Sequence, residues 1–320
     1  MLLDLLAGLA LLLGGMRLLA AALQRALGGP AGEFLARLDG RPWLAAAGGA
    51  AVTALLQSSS VTTLVIAGLA DARILSLSAA AGAIMGANVG TTLTAYLTAL
   101  DPLRAAPWLV AGGAAGLVVS AVPAVRRRLP VAAAAAAPAV AALGLGVAMA
   151  GLRGIEAAVQ PLAAGGSWES HLRSVEHRPL AGLVAGVVIT TLLDSSSAAI
   201  AVLQRLVQSG MLSLAGAIPV LLGDNIGTTT ATVIAAAVLG ARGRRAACVH
   251  LLFNLAGVAL WWPLRNTLVA VAQGAATPAA GLARVHLLFN LTAALVQLPL
   301  IRLHLAATAR LFPGGVRPGA

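Results

Sequence analysis

The chain has 320 residues, 59% hydrophobic, 10% charged and 3% aromatic, with a formal net charge of +11. A soluble domain carries roughly 25% charged residues, so this composition excludes one and specifies a membrane protein. All 21 basic residues are arginine. Without lysine there is neither Schiff-base chemistry nor a phosphate loop ending in Gly-Lys-Ser/Thr.

A helix needs about 20 apolar residues to cross a bilayer, so the length admits on the order of eight to ten membrane segments and no added soluble domain. The first apolar run precedes its first positive charge, Arg17, which predicts an uncleaved helix entering from outside and not a signal peptide. Segment 43–69 is predicted to enter and return on the same side, and 74–100, 107–122 and 131–150 to cross once each. Segment 180–206 is predicted to return like 43–69, and 211–239, 246–263 and 284–303 to cross. Arg126-Arg127-Arg128, Arg242 to Arg245 and the tail Arg302 to Arg317 then fall inside with Arg17 to Arg41, and the mixed-charge stretch Arg153 to Arg178 outside. This is the positive-inside pattern, and no basic face interleaved with aromatics exists to bind nucleic acid. Trp43, Trp108, Trp261 and Trp262 are expected at the membrane interfaces. Cys248 is the only cysteine, which excludes an intrachain disulfide and a thiolate cluster.

Sliding the chain by 137 residues matches Arg41 to Thr92 onto Arg178 to Thr229 without a gap, with 20 of 52 positions identical. The matches keep polar residues in register: Thr53 with Thr190, Ser58-Ser59-Ser60 with Ser195-Ser196-Ser197, and Gly90-Thr91-Thr92 with Gly227-Thr228-Thr229. Upstream, Leu9 to Arg17 echoes Leu145 to Arg153, and His-Leu-Leu-Phe-Asn-Leu occurs at both 250–255 and 286–291. The loop charges make the two copies inverted. The expected fold is therefore an all-α polytopic membrane protein of two inverted-topology repeats with re-entrant hairpins and interrupted helices. The first repeat is expected over 1–130 and the second over 131–264, with a C-terminal helix and short cytoplasmic tail over 265–320.

Gln57-Ser58-Ser59-Ser60 and Asp194-Ser195-Ser196-Ser197 interrupt apolar stretches, and so do Gly-Ala-Asn-Val-Gly-Thr-Thr at 86–92 and Gly-Asp-Asn-Ile-Gly-Thr-Thr at 223–229. Backbone freed inside hydrocarbon is tolerated only where protein or a wet cavity satisfies it. Amides opening a returning half-helix attract an anion, while hydroxyl and carbonyl oxygens suit a hard cation. Each triplet precedes its asparagine, Asn88 or Asn225, by 28 residues, and such a recurrence disfavours mere helix packing. The candidate site is Gln57, Ser58, Ser59, Ser60, Asn88, Thr91 and Thr92 facing Asp194, Ser195, Ser196, Ser197, Asp224, Asn225, Thr228 and Thr229. His250 and His286 are expected to be packing residues hydrogen-bonded to a neighbour. Of the remaining arginines, Arg73 and Arg205 lie nearest the motifs. Neither serine triplet has a histidine at its membrane depth to act as a base, which argues against an intramembrane enzyme.

These motifs, with Arg-Arg followed by His-Leu-Leu-Phe-Asn, resemble the bacterial sodium-phosphate cotransporter family over nearly the whole chain. The resemblance implies an inner-membrane, multi-pass symporter of inorganic phosphate and sodium, working by alternating access without a cofactor beyond the coupling ion. It also implies that the hairpins bind substrate, and that the chain, ending at Ala320, is a form without the PhoU-like helical domain of many bacterial relatives. A homodimer is compatible with a small carrier. The departures are Asp194, where the family repeats its glutamine, and Asp224, where it has alanine. Each carboxylate near a phosphate dianion at ~5 Å and an effective dielectric of ~20 costs roughly 3 kcal/mol per pair of unit charges. Three remedies are open: sodium held at Asp194 or Asp224, alongside Asn88 and Asn225; a proton on one carboxylate; or another solute. A non-transporting ion sensor is a further alternative.

Overall fold

The computed structural model describes residues 2–99, 102–122, 136–164 and 178–313. The Arg126–Arg128 loop, Glu169, Glu176 and Arg317 lie outside the described residues. All regular structure among the described residues is helical.

Helix α1 (Leu2–Ala36) is followed by a hairpin of α2 (Pro42–Leu56) and α3 (Ser59–Asp71), then by α4 (Leu77–Thr98) and α5 (Pro102–Ala121). The second copy is α6 (Ala136–Ala164), the hairpin α7 (Pro179–Leu193) and α8 (Ser196–Gln208), and α9 (Leu214–Ala235). At about 1.5 Å per residue, the 13 to 15 residues of each hairpin arm reach about 20 Å, short of the roughly 30 Å hydrocarbon core. This is the length of a re-entrant arm. Pro42 and Pro179 open the entering arms, and left-handed backbone at Gln57 (φ 53°) and Asp194 (φ 49°) ends them. Ser58 and Ser195 cap the returning arms, accepting hydrogen bonds from the amides of Val61 and Ala198 at 3.4 and 3.2 Å.

The inversion is written in the packing of α1 on α6. A methyl group at Gly15 would lie 2.3 Å from the Ala148 nitrogen and one at Gly144 2.5 Å from the Leu19 nitrogen, while Gly8 abuts Gly151 and Ile155. Contacts that descend one helix as they climb the other make the pair antiparallel. Gly8 and Gly15 are the repeat equivalents of Gly144 and Gly151, so the contact is reciprocal about a two-fold axis. Equivalent helices thus cross in opposite senses. By contrast α4 lies parallel to α2, since Gly82, Gly86 and Gly90 abut the carbonyls of Pro42, Ala46 and Ala50 in step, and α9 repeats this on α7 through Gly223 and Gly227.

Two sequence expectations are corrected. The segments 74–100 and 211–239 were expected to break at their Gly-x-Asn-x-Gly-Thr-Thr elements, yet α4 and α9 run through them unbroken. The polar side chains satisfy their own helix: Asn88 and Thr91 donate to the carbonyls of Ile84 and Ala87 at 2.9 and 3.0 Å, and Asn225 and Thr228 to those of Leu221 and Asp224 at 2.8 and 2.9 Å. The glycines serve close approach instead. Second, 265–320 holds more than one helix. α10 (Ala241–Trp261) bends by 82° into α11 (Arg265–Gln273), and α12 (Pro278–Gln297) is followed by α13 (Ile301–Leu311). The breaks fall at Pro263-Leu264 and Pro299-Leu300, where proline ends a helix. α10 and α12 carry the two His-Leu-Leu-Phe-Asn-Leu copies and pack antiparallel, Gly257 against Phe289 and Ala293. They form a second inverted pair.

Among the described residues four helices are long and apolar enough to span a bilayer: Leu3–Leu23, Ala136–Ile155, Leu214–Val238 and Pro278–Gln297. The bent pair α10 and α11 adds a fifth. The hairpin arms and Ala105–Ala121 fall short of that length. Leu180, Val184, Val188 and Leu192 leave an exposed stripe along α7, and Trp43 and Trp108 are exposed, as lipid-facing surfaces require.

Candidate functional site

The returning arms of the two hairpins begin at one cavity of about 290 Å³, lined by Gln57 to Val61, by Leu193 to Ser197, and by Leu13, Met16, Arg17 and Ala21 of α1. Two helix N-termini therefore open on the same space. In each, the capping serine satisfies one of the orphan amides, and those of the first turn, at Ser59 and Ser60 or Ser196 and Ser197, have no intrahelical acceptor. Amides, hydroxyl protons and a helix dipole suit an oxyanion. Their oxygens, with a carboxylate, suit sodium.

The tips differ by one residue, and α4 and α9 explain what that difference does. Gln57 is tied down: its Oε1 accepts from Thr94 Oγ1 at 2.8 Å and its Nε2 donates to the Ala54 carbonyl. The repeat equivalent of Thr94 is Ala231, which has no hydroxyl to offer Asp194. No protein hydrogen bond reaches the Asp194 carboxylate among the described residues, and it lines the cavity exposed.

Asp224 is placed elsewhere. It lies 2% exposed beside a separate apolar cavity of about 140 Å³ between α7, α8 and α9, which Thr190 also lines. Thr190 Oγ1 donates to Asp224 Oδ1 at 2.5 Å, and Asp224 Oδ2 has no partner. In the first repeat Ala87 stands at the position of Asp224, and Thr53 Oγ1 is unpaired there. Of the two aspartates, then, only Asp194 lines the tip cavity.

Asn88, Thr91, Thr92, Asn225, Thr228 and Thr229 do not line the tip cavity. Asn88 Oδ1 lies 3.2 Å from His250 Nε2 and accepts from Asn254 Nδ2 at 3.3 Å, which bolts α4 to α10. Asn225 Oδ1 accepts from Asn290 Nδ2 at 3.1 Å and bolts α9 to α12. His250 thus packs against a hydrogen-bonding neighbour as expected. Arg205 Nη2 reaches the Thr98 carbonyl at 3.3 Å while Gln204 accepts from Thr98 Oγ1 at 2.8 Å, so α8 docks on the C-terminus of α4. α3 docks in the mirrored place: Asp71 accepts from the amides of Gly240 and Gly243 at 2.9 and 3.1 Å, at the start of α10. Arg73 is exposed at a left-handed turn, φ 60°. Sequence reasoning missed Arg17 as a cavity residue, although the echo of Leu9–Arg17 in Leu145–Arg153 carried the signal.

A chain of two inverted copies whose hairpin tips share a polar cavity is a polytopic membrane protein of the kind that carries ions across bilayers. The model of the Na+/Pi-cotransporter family matches it twice, over residues 11–157 and 147–291. The chain belongs to that family of transporters. It is 29% identical over 263 residues to the uncharacterized protein YqeW of Bacillus subtilis, covering 82% of each chain. It is 28% identical over 267 residues to the putative inorganic phosphate export protein YjbB of Escherichia coli K12, covering 83% of this chain but only 47% of that relative. A stretch of 92 residues, 27% of this chain and 14% of the relative, is 44% identical to the rabbit sodium-dependent phosphate transport protein 2A. The chain therefore spans about half the length of the Escherichia coli relative. No solved structure matches it significantly.

Proposed function

We propose that the chain is a secondary active carrier that moves inorganic phosphate with sodium across the bacterial inner membrane by alternating access. One observation carries the reading: two hydroxyl-tipped, oppositely oriented hairpins open their helix N-termini onto one cavity. Phosphate takes the first-turn amides and hydroxyls of Ser59, Ser60, Ser196 and Ser197. Sodium takes Asp194, whose carboxylate has no protein partner among the described residues, together with the neighbouring serine oxygens; each ion then lowers the electrostatic cost of the other, and symport follows. Asp224, with one free carboxylate oxygen, is the second place for a coupling cation. The relatives' names support phosphate as solute, and the rabbit protein's name supports sodium dependence.

The test is radiolabelled phosphate flux in proteoliposomes of the full chain, with and without an imposed sodium gradient. Sodium-driven flux that Ser59→Ala with Ser196→Ala abolishes is expected. Flux indifferent to sodium but driven by a proton gradient overturns the coupling, and uptake of another solute that excess phosphate does not inhibit overturns the substrate. Asp194→Gln is expected to keep phosphate binding and weaken the sodium dependence.

A further inference from the structure

The tip cavity is symmetric in its hairpins and asymmetric in its walls. Both tips contribute, but among the described residues only α1 supplies the flanking helix, through Leu13, Met16 and Arg17. The repeat equivalents on α6 are Met149, Leu152 and Arg153. Arg153 is exposed as Arg17 is, and Leu152 is buried as Met16 is, but none of Met149, Leu152 and Arg153 lines the cavity. Yet α1 and α6 are related by the reciprocal glycine contact at Gly8, Gly15, Gly144 and Gly151. A two-fold related pair seen in unequal surroundings is what one conformer of an inverted-repeat carrier presents, because the opposite conformer exchanges the roles of the repeats.

We propose that Arg17 and Arg153 are alternating anion ligands: Arg17 meets phosphate at the hairpin tips in the conformation described, and Arg153 takes the equivalent place in the conformation open to the opposite side. The inference rests on the phosphate reading and deepens it. Arg17 is the one basic side chain among the described residues that line the cavity. Its planar fork matches two oxygens of a phosphate, a geometry an ammonium does not reproduce. Each arginine sits two residues beyond a glycine of the α1 and α6 interlock, so it is carried on a rigid element and its reach to the tips changes only when the repeats move against one another.

The experiment measures the phosphate KM separately in right-side-out and inside-out membrane vesicles holding the full chain. Arg17→Gln is expected to raise KM roughly tenfold or more on one face and Arg153→Gln on the other, with melting temperatures unchanged. Arg17→Lys, which keeps charge and stem, is expected to give a smaller rise on the same face as Arg17→Gln, so the assignment is tested even where the glutamine variant folds poorly. Wild-type flux with Arg17 variants whose KM shifts less than about twofold on both faces overturns the pairing alone. So do Arg17 and Arg153 variants that act on the same face. Absence of phosphate flux in the wild type overturns the functional reading and the pairing with it.

Discussion

Replacing Asp224 by alanine separates what the fold needs from what transport needs, and the first repeat already shows the alternative, since Ala87 occupies the same position fully buried. The change removes the 2.5 Å hydrogen bond from Thr190, a bond contributing about 0.5–1.5 kcal/mol. It also removes the unpartnered Oδ2, whose burial costs about 1–3 kcal/mol. Thr190 is left as Thr53 is, with a hydroxyl the fold tolerates unpaired. The terms nearly cancel, so stability should change by less than about 2 kcal/mol, a shift under about 6 °C for a chain of this size. Sodium-driven phosphate flux per folded molecule should fall sharply. Thermal melting in detergent reads the first quantity and proteoliposome flux the second. A fall of more than about 10 °C with flux per folded molecule intact would show the carboxylate to be structural and refute the reasoning.

Other expectations follow from single contacts. Gly15→Leu drives a side chain into the Ala148 backbone, 2.3 Å from where its Cβ would sit, whereas Gly14 has open space; the first should cost about 3 kcal/mol or more and Gly14→Ala almost nothing, as protease resistance of the membrane-embedded chain will report. Asp71→Ala leaves the Gly240 and Gly243 amides without their acceptor, a loss of about 1 kcal/mol typical of a helix cap and measurable as a lowered melting temperature. In the α1–α2 connection, the Ser76 hydroxyl and then its amide hold the Asp39 carboxyl below its ordinary value of 3.8. A carboxyl depressed on folding stabilises above its unfolded pKa and loses that contribution as pH falls through the folded value. Asp39→Asn should therefore lower the melting temperature near neutrality, and the difference between the two proteins should shrink as pH falls below the ordinary carboxyl value of 3.8.

The repeat, the hairpins and the meeting of their tips were legible in the sequence because polar residues recur in register through apolar runs. Hydrocarbon forbids unpaired backbone, and a serine triplet in its midst needs a wet neighbour. Continuity of α4 and α9 was not legible, since glycine with asparagine signals a helix break and a close helix contact alike. Only the back-bonds of Asn88 and Asn225 to their own helices decide between the two. Nor could the sequence say that Asn88 and Asn225 serve α10 and α12, because those partners stand 162 and 65 residues away. The histidine and asparagine echo was visible; its meaning as a second inverted pair required three dimensions.

On the proposed phosphate reading, the charge problem posed by the two aspartates is first one of position. Asp224 is beside a different cavity, so one carboxylate faces the anion, and Arg17 stands in the same wall. Among the described residues, the lining side chains of the tip cavity then carry one positive and one negative charge. A wall that is neutral in sum offers a dianion no net compensation beyond the two helix N-termini, whose partial charges are about half an elementary charge each. Those roughly offset one of the two negative charges, and the second has to arrive with its own cation. On the proposed reading Asp194, left without a threonine partner because Ala231 stands where Thr94 does in the first repeat, is the oxygen ligand offered to that cation, so a single difference on a neighbouring helix would set how the anion and its coupling ion share one site.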